Sequence, residues 1–355
     1  MEHNRITIIG KRVTNKEFYL KMSNISYEIR NQYKQYLRNT SDPFCLYIDF
    51  PFCKSKCQYC IYNSYEYDKS AEIVTRYEDY LLLQLESWRE IFDEFPLKKV
   101  YFGGGTPNLI DQQKLKRIVE LIPHYSQIQV IKSELHPALA DNSTIDFYVN
   151  NVRPTYISLG VQSFSKEACQ KQNRLYASPD HVKQIVSGFQ EKGVQVNIDL
   201  VALFGGDTES DWIVFDRDMD IACNHIKPDR ITCVPNYKTN LDYFEQIPKF
   251  RTILSKYSGN EYCPSWDKML SLDKNDIMNY GYNDHWLATP EYWKFQRQFK
   301  PYSCSSPNAA TPKQVTLALG GLDNHKVYSY LPDKSLVFYS FFDSKTWQLK
   351  IQISS

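Results

Sequence analysis

The chain has 355 residues, of which 42% are hydrophobic, and its 42 basic and 41 acidic residues give a formal net charge of +1. This length suits one large domain with an additional element and a buried core. The balanced charge gives no electrostatic reason to expect a nucleic acid or an anionic membrane as partner, and favours a small molecule. No apolar run approaches the roughly 20 residues of a membrane-spanning helix, so we expect a soluble, cytoplasmic protein.

The predicted strands and helices alternate along the chain. A polar helix, NKEFYLKMSNISYEIRNQYKQYL, is predicted near the start and is expected to lie outside the repeat. Two further helices are predicted at VTRYEDYLLLQLESWREIF and SPDHVKQIVSGFQEKG. Between the helical stretches, apolar runs predict six strands, at residues 45–50, 98–104, 128–135, 155–164, 194–204 and 230–237. Strands that alternate with amphipathic helices are typical of parallel βαβ units.

The alternation of predicted strands and helices ends at about residue 245, and the remaining chain is rich in Tyr, Trp, Asn and Pro. We therefore predict three parts: an N-terminal helical extension at 1–40, an α/β domain at 41–244, and a C-terminal accessory element at 245–355 that covers the substrate.

Nine cysteines divide into a group of three and six isolated residues. Cys53, Cys57 and Cys60 lie in CKSKCQYC. A structural zinc site needs four ligands, commonly two CxxC pairs, and the chain has no second pair. Three thiolates suit a [4Fe–4S] cluster in which one iron has no protein ligand and binds a small molecule. Zinc and three unrelated core cysteines are the alternatives.

The isolated cysteines are expected to be reduced. An odd number of cysteines without an export signal does not favour a disulfide framework. Small buried side chains are the expected state of all six, namely Cys45, Cys169, Cys223, Cys233, Cys263 and Cys304.

Four motifs, YIDFPFCKSKCQYC, YFGGGTP, ISLGVQSF and VNIDLVALFGG, occur in this order between residues 45 and 240. Together they resemble the radical S-adenosylmethionine (SAM) enzymes, in the branch typified by oxygen-independent coproporphyrinogen III oxidase and its heme-chaperone relatives. The resemblance implies an incomplete (β/α)6 barrel with its site at the C-terminal edge of the strands. It also implies that Cys53, Cys57 and Cys60 hold a [4Fe–4S] cluster. One electron from the cluster would split bound SAM to a 5′-deoxyadenosyl radical, which abstracts a hydrogen atom.

The resemblance further assigns contacts with SAM, but no catalytic residue. Tyr59 matches an aromatic residue beside the adenine. Glu134 matches an acid near the amino group or the ribose, and Gln162 and Asp199 match ribose ligands. Arg174 matches an arginine that meets the methionyl carboxylate. The assigned backbone contact with the methionyl amino group is the turn formed by Gly103, Gly104, Gly105 and Thr106.

The chain also departs from the family pattern. Asp49 stands where a histidine is common, and in QNRLY the residues Asn173 and Tyr176 replace the glycine and histidine of GRxH. The segment ALFGGDT lacks the proline of the usual GLPGQT-like sequence. These departures argue against a direct assignment of coproporphyrinogen oxidation.

The expected function is that of an enzyme acting on a small tetrapyrrole or specialised metabolite. Its reaction would be oxidation, or methyl or methylene transfer with a second SAM molecule, and a flavodoxin or ferredoxin would supply electrons. The alternative is a heme-binding, chaperone-like protein that keeps the cluster without oxidase turnover, which the ending CIYNS favours. A structural iron–sulfur protein is a third alternative.

The C-terminal part contains further candidates. His285 and His325 are expected to contact the substrate or heme, or else to be surface or internally satisfied histidines. The tryptophans at 266, 286 and 293 are expected to line a pocket or to pack the tail onto the domain.

Overall fold

The fold consists of two compact units. The computed structural model describes residues 15–60, 62–206, 209–236, 243–257, 262–265, 271–274, 314–323, 325–333, 335–346 and 348–354. Unit 1 comprises Met1–Lys54, Tyr62–Lys132 and Tyr302–Ser355, and unit 2 comprises Ser55–Ile61 and Ser133–Pro301.

Helices occupy the stretches whose apolar residues recur at helical spacing. Those assigned in the described part of the chain are α1 (Asn15–Arg38), α2 (Glu72–Glu94), α3 (Gln112–Glu120), α4 (Asn142–Phe147), α5 (Lys166–Lys171), α6 (Pro179–Gln190), α7 (Glu209–Asp220) and α8 (Tyr243–Tyr257). The three predicted helices correspond to α1, α2 and α6. At the start of α6, the Ser178 hydroxyl accepts a hydrogen bond from the His181 amide at 3.3 Å and so caps the helix.

All six predicted strands are present and correspond to β1, β4, β5, β6, β7 and β8. The strands are β1 (Phe44–Phe50), β2 (Phe52–Cys53), β3 (Tyr65–Glu66), β4 (Lys99–Gly104), β5 (Val130–Leu135), β6 (Tyr156–Gln162), β7 (Gln195–Ala202), β8 (Arg230–Pro235), β9 (Tyr262–Ser265), β10 (Ser271–Lys274), β11 (Val315–Leu319), β12 (Val327–Tyr330), β13 (Val337–Asp343) and β14 (Gln348–Ser354).

Unit 1 is built on a mixed sheet with the order β14-β13-β12-β11-β1-β4. The central strand β1 is buried along its whole length and runs parallel to both β4 and β11. Its register places Asp49 opposite Gly103 and Phe50 opposite Gly104. The residues that lead to the first cysteine therefore lie beside the triple glycine.

The helix α1 packs on α2 within unit 1. The Tyr33 ring, which is fully buried, meets Trp88 of α2 edge-on with ring centroids 5.4 Å apart. Its hydroxyl donates to the backbone oxygen of Thr316 in β11 at 2.6 Å. A residue near the start of the chain thus satisfies a buried backbone group near its end.

Unit 2 contains the parallel strands β6, β7 and β8, followed by β10 and β9 in antiparallel pairing. The register pairs Gly160 of β6 with Asp199 of β7 and shifts between Gly160 and Gln162. Along these strands, polar side chains alternate with apolar ones. The polar side chains therefore share one face of the sheet. Strand β5, which precedes β6 in the chain, is divided between the two units after Lys132.

Among the described helices, none has the length and apolar character needed to cross a membrane. Trp266, His285, Trp286, Trp293 and Cys304 lie outside the described residues, as does much of the predicted accessory element. The proposed division at residues 40 and 244 stays a prediction. Residues 315–354, within that accessory element, contribute β11–β14 to the sheet of unit 1.

The Tyr33 hydroxyl gives a direct test of the packing of α1. We expect Tyr33→Phe to lower the free energy of unfolding by about 1–2 kcal/mol, because the buried Thr316 oxygen loses a donor. Urea denaturation measures the change. Tyr27 on the same helix is 67% exposed, and Tyr27→Phe should leave the midpoint unaltered. An equal effect of both substitutions would contradict the assigned contact.

Candidate functional site

The three clustered cysteines differ from the isolated ones in accessibility. Cys53, Cys57 and Cys60 form no disulfide and are only half-buried. Burial raises the pKa of Cys45 to about 12 and that of Cys169 to about 11, so these two thiols stay protonated. The other isolated cysteines whose side chains are described, Cys223 and Cys233, are also free and buried.

The cysteine loop, defined as residues 53–60, begins in β2 and contains a turn in which the Cys60 amide donates to the Cys57 carbonyl at 3.3 Å. Within the described ranges, no three His, Cys, Asp or Glu side chains are already grouped as a metal site. Three accessible thiols without disulfides nevertheless match the donor set of a thiolate-bound cluster. The assignment of these cysteines as iron ligands stays a prediction.

The middle of the cysteine loop is hydrogen-bonded to the segment after α5. The Gln58 amide donates to the Gln172 carbonyl at 2.9 Å, and Asn173 Nδ2 donates to the Lys56 carbonyl at 3.0 Å. Asn173 has φ 52°, in the left-handed region where glycine or asparagine is favoured. This conformation explains how asparagine replaces the family's glycine, and the amide side chain adds a contact with the loop.

Arg174 follows directly and brings its charge to the cysteine loop. One guanidinium nitrogen, Nη1, donates to Cys57 Sγ at 3.6 Å and to the Tyr59 hydroxyl at 3.1 Å. The other, Nη2, donates to the Gly160 carbonyl. Its Nε is buried without a hydrogen-bond partner. Because a buried unpaired donor is costly, this N–H is available for an acceptor on a ligand.

Gln162 and Arg174 come together over Gly160. A Cβ placed on Gly160 would lie 3.0 Å from Gln162 Nε2 and 3.1 Å from Arg174 Nη2. Gln162 itself has φ 71°, at the point where the pairing of β6 with β7 shifts. Its side chain direction therefore depends on a backbone conformation that non-glycine residues seldom adopt.

Asp218 on α7 holds the turn that follows Gln162, and the sequence analysis missed it. Its carboxylate accepts hydrogen bonds from the Ser163 hydroxyl at 2.5 Å and from the Phe164 amide at 3.1 Å. Burial raises the pKa of this carboxyl from 3.8 to about 7, against the opposing effect of the two hydrogen bonds. In the sequence, Asp218 is one of four aspartates in the stretch DWIVFDRDMD, and nothing there distinguishes it from the others.

The hydrogen-bond network that contains Asp199 extends over three neighbouring strands. Its carboxylate accepts from the Ser158 hydroxyl at 2.9 Å and from Asn197 Nδ2 at 2.8 Å. The Asn197 side-chain oxygen accepts in turn from the Thr232 hydroxyl at 2.9 Å. This network across β6, β7 and β8 fixes the orientation of the Asp199 carboxylate. The ribose contact of Asp199 is not tested by these bonds and stays a prediction.

The glycine turn, defined as Gly103–Gly105, packs directly against the chain that leads to Cys53. A Cβ on Gly104 would lie 2.7 Å from Asp49 Oδ1, and one on Gly105 would lie 2.5 Å from the Phe52 carbonyl oxygen. Gly104 also has φ +107°. Side chains are thus excluded here by the close approach of two backbone segments, and Thr106 behind the turn is buried.

The remaining predicted contacts, Tyr59 and Glu134, lie in unit 2. The Tyr59 ring meets Phe204 edge-on, with centroids 4.9 Å apart, and Tyr176 packs on the same apolar cluster. Glu134 is partly buried near the end of β5. His136 follows it, and burial, aided by the charge of Arg174, lowers the pKa of His136 to about 2. This imidazole is therefore neutral, and its Nδ1 accepts from the Ala138 amide.

Residues 47–219 match the sequence profile of the Radical SAM superfamily. Over this stretch the chain is similar to the radical SAM superfamily. A heme chaperone, HemW, from Buchnera aphidicola is 29% identical over 307 residues, which are 83% of this chain and 77% of the relative. The oxygen-independent coproporphyrinogen III oxidase of Salmonella typhimurium is 27% identical over 175 residues, or 45% of this chain and 35% of that enzyme. The predicted resemblance to this branch is confirmed.

The chain also has a solved structural counterpart. Coproporphyrinogen III oxidase (HemN) from Escherichia coli superposes with a TM-score of 0.67 at 16% identity, covering 90% of this chain and 74% of that protein. At this identity the likeness shows the fold alone, and it confirms the predicted α/β class. Alignments with other heme chaperones cover 52% of one from Buchnera aphidicola and 43% of that from Haemophilus influenzae.

The buried Asp218 predicts a specific pH dependence. Because burial raises the pKa of Asp218 from 3.8 to about 7, the folded state binds an additional proton between these pH values. The stability of the wild-type protein should therefore decrease as the pH rises from about 4 to about 7, with a slope of up to ~1.4 kcal/mol per pH unit. Asp218→Asn removes this slope, so the variant gains stability relative to wild type across that range.

Urea denaturation of both proteins at several pH values between about 4 and 8 measures this difference. The matched control is Asp220→Asn, since Asp220 is exposed at the end of the same helix. A constant difference between Asp218→Asn and wild type at all pH values would contradict the assignment.

Proposed function

We propose that this protein is a radical SAM enzyme in which Cys53, Cys57 and Cys60 hold a [4Fe–4S] cluster. When bound, the cluster and SAM would supply the reductive cleavage that gives a 5′-deoxyadenosyl radical for hydrogen abstraction. The observation that carries the proposal is the contact of Arg174 with Cys57 and Tyr59, with one buried guanidinium N–H left for a ligand. A cation beside a ligand thiol and an unused buried donor suit a site for an anionic group next to a cluster.

The chain's own residues would then bind and orient SAM. The Nε of Arg174 would meet the methionyl carboxylate, and Gln162, held over Gly160 beside Arg174, would donate to a ribose hydroxyl. Asp199 has both carboxylate oxygens oriented by its neighbours, which leaves further lone pairs to accept from the ribose. Tyr59 would flank the adenine, and Glu134 would accept from the amino group.

The substrate would be a small organic molecule, and we infer a tetrapyrrole or a specialised metabolite. The support for this class is that the curated relatives include a coproporphyrinogen oxidase and heme chaperones. Oxidation and transfer of a methyl or methylene group from a second SAM are both compatible with the domain. A flavodoxin or ferredoxin would be the electron donor.

A second candidate function is binding of heme without oxidase turnover. It is favoured by the heme chaperone that aligns with 83% of this chain. Heme needs an axial ligand. Among the described histidines, His124 is exposed and has a left-handed backbone conformation, whereas His181 and His225 have hydrogen-bond partners. His285 lies outside the described residues.

The cluster assignment is tested by substitution of the cysteines. After anaerobic reconstitution with iron and sulfide, wild type should hold about four iron atoms per chain. Alanine at Cys53, Cys57 or Cys60 should abolish the electron paramagnetic resonance (EPR) signal of the reduced cluster. Cys45→Ala should retain it, because Cys45 is a buried thiol in β1. A full signal after all three loop cysteines are replaced would exclude the proposal.

The same reconstituted protein separates the two candidate functions. Reduction with SAM, with and without heme or porphyrin, is followed by chromatography for 5′-deoxyadenosine and S-adenosylhomocysteine. Deoxyadenosine formation stimulated by a porphyrin supports hydrogen abstraction from that class, and both products together support methyl transfer. Tight heme binding with neither product supports the chaperone-like function.

The contact of Arg174 with Cys57 predicts the redox behaviour of the cluster. A cation that donates to a ligand sulfur stabilises the more negative, reduced cluster. Arg174→Met should therefore lower the reduction potential measured by EPR-monitored titration, and Arg174→Lys, which keeps the charge, should lower it less. Arg117 is an exposed cation on α3, so Arg117→Met is the control. An unchanged potential in Arg174→Met at normal iron content would contradict the contact.

A further inference from the structure

His325 contacts the chain on both sides of the cysteine loop. Its Nε2 lies 2.9 Å from Asp49 Oδ1, four residues before Cys53, and its Nδ1 lies 2.5 Å from the Asn63 carbonyl oxygen, three residues after Cys60. All of these groups belong to unit 1 except Cys60 itself. One imidazole therefore joins the segment that enters the loop to the segment that leaves it.

The two contacts of His325 bear on the protonation state of its imidazole ring. A carboxylate and a backbone carbonyl both accept hydrogen bonds, so the two contacts suit an imidazolium that carries a hydrogen on each ring nitrogen. His325 is 7% exposed and Asp49 is 0% exposed. Burial lowers the pKa of His325, but the charge and hydrogen bond of Asp49 outweigh this and raise it. Removal of either partner would leave a buried charge uncompensated.

The segment that carries His325 is itself tightly constrained. Leu322 and His325 exchange two backbone hydrogen bonds of 2.8 Å, and Gly321 precedes them with φ +80°. The Tyr65 hydroxyl donates to the Leu322 carbonyl at 2.9 Å, which adds a second link to the chain that leaves the loop. His325 is therefore presented by a fixed turn.

The two flanks of the loop are also paired with each other. The parallel strands β2 and β3 place Phe52 opposite Tyr65 and Cys53 opposite Glu66, and the Tyr67 amide donates to the Cys53 carbonyl at 2.8 Å. The paired region is small, because each strand has only two residues. A charged side chain that spans both flanks adds a link that such a small pairing lacks.

We propose that His325 is a positioning residue that ties together the two flanks of the cysteine loop and so keeps its cysteines placed for the cluster. The inference rests on the proposed function, since it concerns retention of the cluster. It also assigns the C-terminal segment, which lies far from the motif in sequence, a direct role at the cluster-binding loop.

The test uses the full chain, reconstituted anaerobically with iron and sulfide, and measures the rate of iron loss to a ferrous chelator. His325→Gln keeps a polar side chain but cannot donate to both acceptors. Outer-shell contacts of metal ligands typically change affinity 10-fold or more, so we expect about tenfold faster iron loss. The control is His225→Gln, because His225 forms a similar pair with Asp180 at 2.9 Å but on the surface, and it should lose iron at the wild-type rate.

A second variant separates positioning from general stability. The double substitution Asp49→His and His325→Asp reverses the ion pair but moves the imidazole away from Asn63. We expect its urea midpoint to lie closer to that of wild type than the midpoint of His325→Gln does, while its iron loss stays as fast as in His325→Gln. Wild-type iron retention in this variant or in His325→Gln would overturn the inference. A wild-type protein that binds no cluster would instead reject the proposed function, so the two failures are distinguishable.

Discussion

The close approach of two backbone segments in unit 1 is the constraint on which the arrangement of the candidate site depends. The chain that leaves β1 for Cys53 passes so near Gly104 and Gly105 that a Cβ on either would overlap Asp49, Phe50 or Phe52. The Gly105 amide donates to the Phe50 carbonyl at 2.7 Å. Because the two segments share hydrogen bonds and leave no space for side chains, the start of the cysteine loop has a defined position before any ligand binds.

Buried polar groups extend this order to the other strand ends. Asp49 and Asp218 carry buried carboxylates that would be costly to bury alone, and Asp199 is partly buried; each is held by donors from another part of its own unit. These contacts determine where the neighbouring backbone turns. Within each unit, these polar groups therefore have fixed orientations before any ligand binds.

The sequence predicted the strands β1 and β4–β8 because their apolar runs are long and alternate with amphipathic helices. It did not predict β11–β14, whose short aromatic and β-branched runs follow no helical spacing, although β11 is buried throughout and extends the sheet beside β1. The motif residues were found through the family resemblance. Asp218 and the contact between Asp49 and His325 were not, because partners 54 and 276 residues apart leave no local pattern.

The departures from the family motifs acquire a physical meaning in this light. Asn173 occupies a left-handed position that the family fills with glycine, so its replacement preserves the backbone and adds a hydrogen bond to Lys56. Asp49 replaces a histidine but is paired with the imidazole of His325, so a histidine is still present at the entry to the loop. Both changes keep the cysteine loop in place by other means. They therefore carry less weight against a cluster site than the family motifs alone suggest.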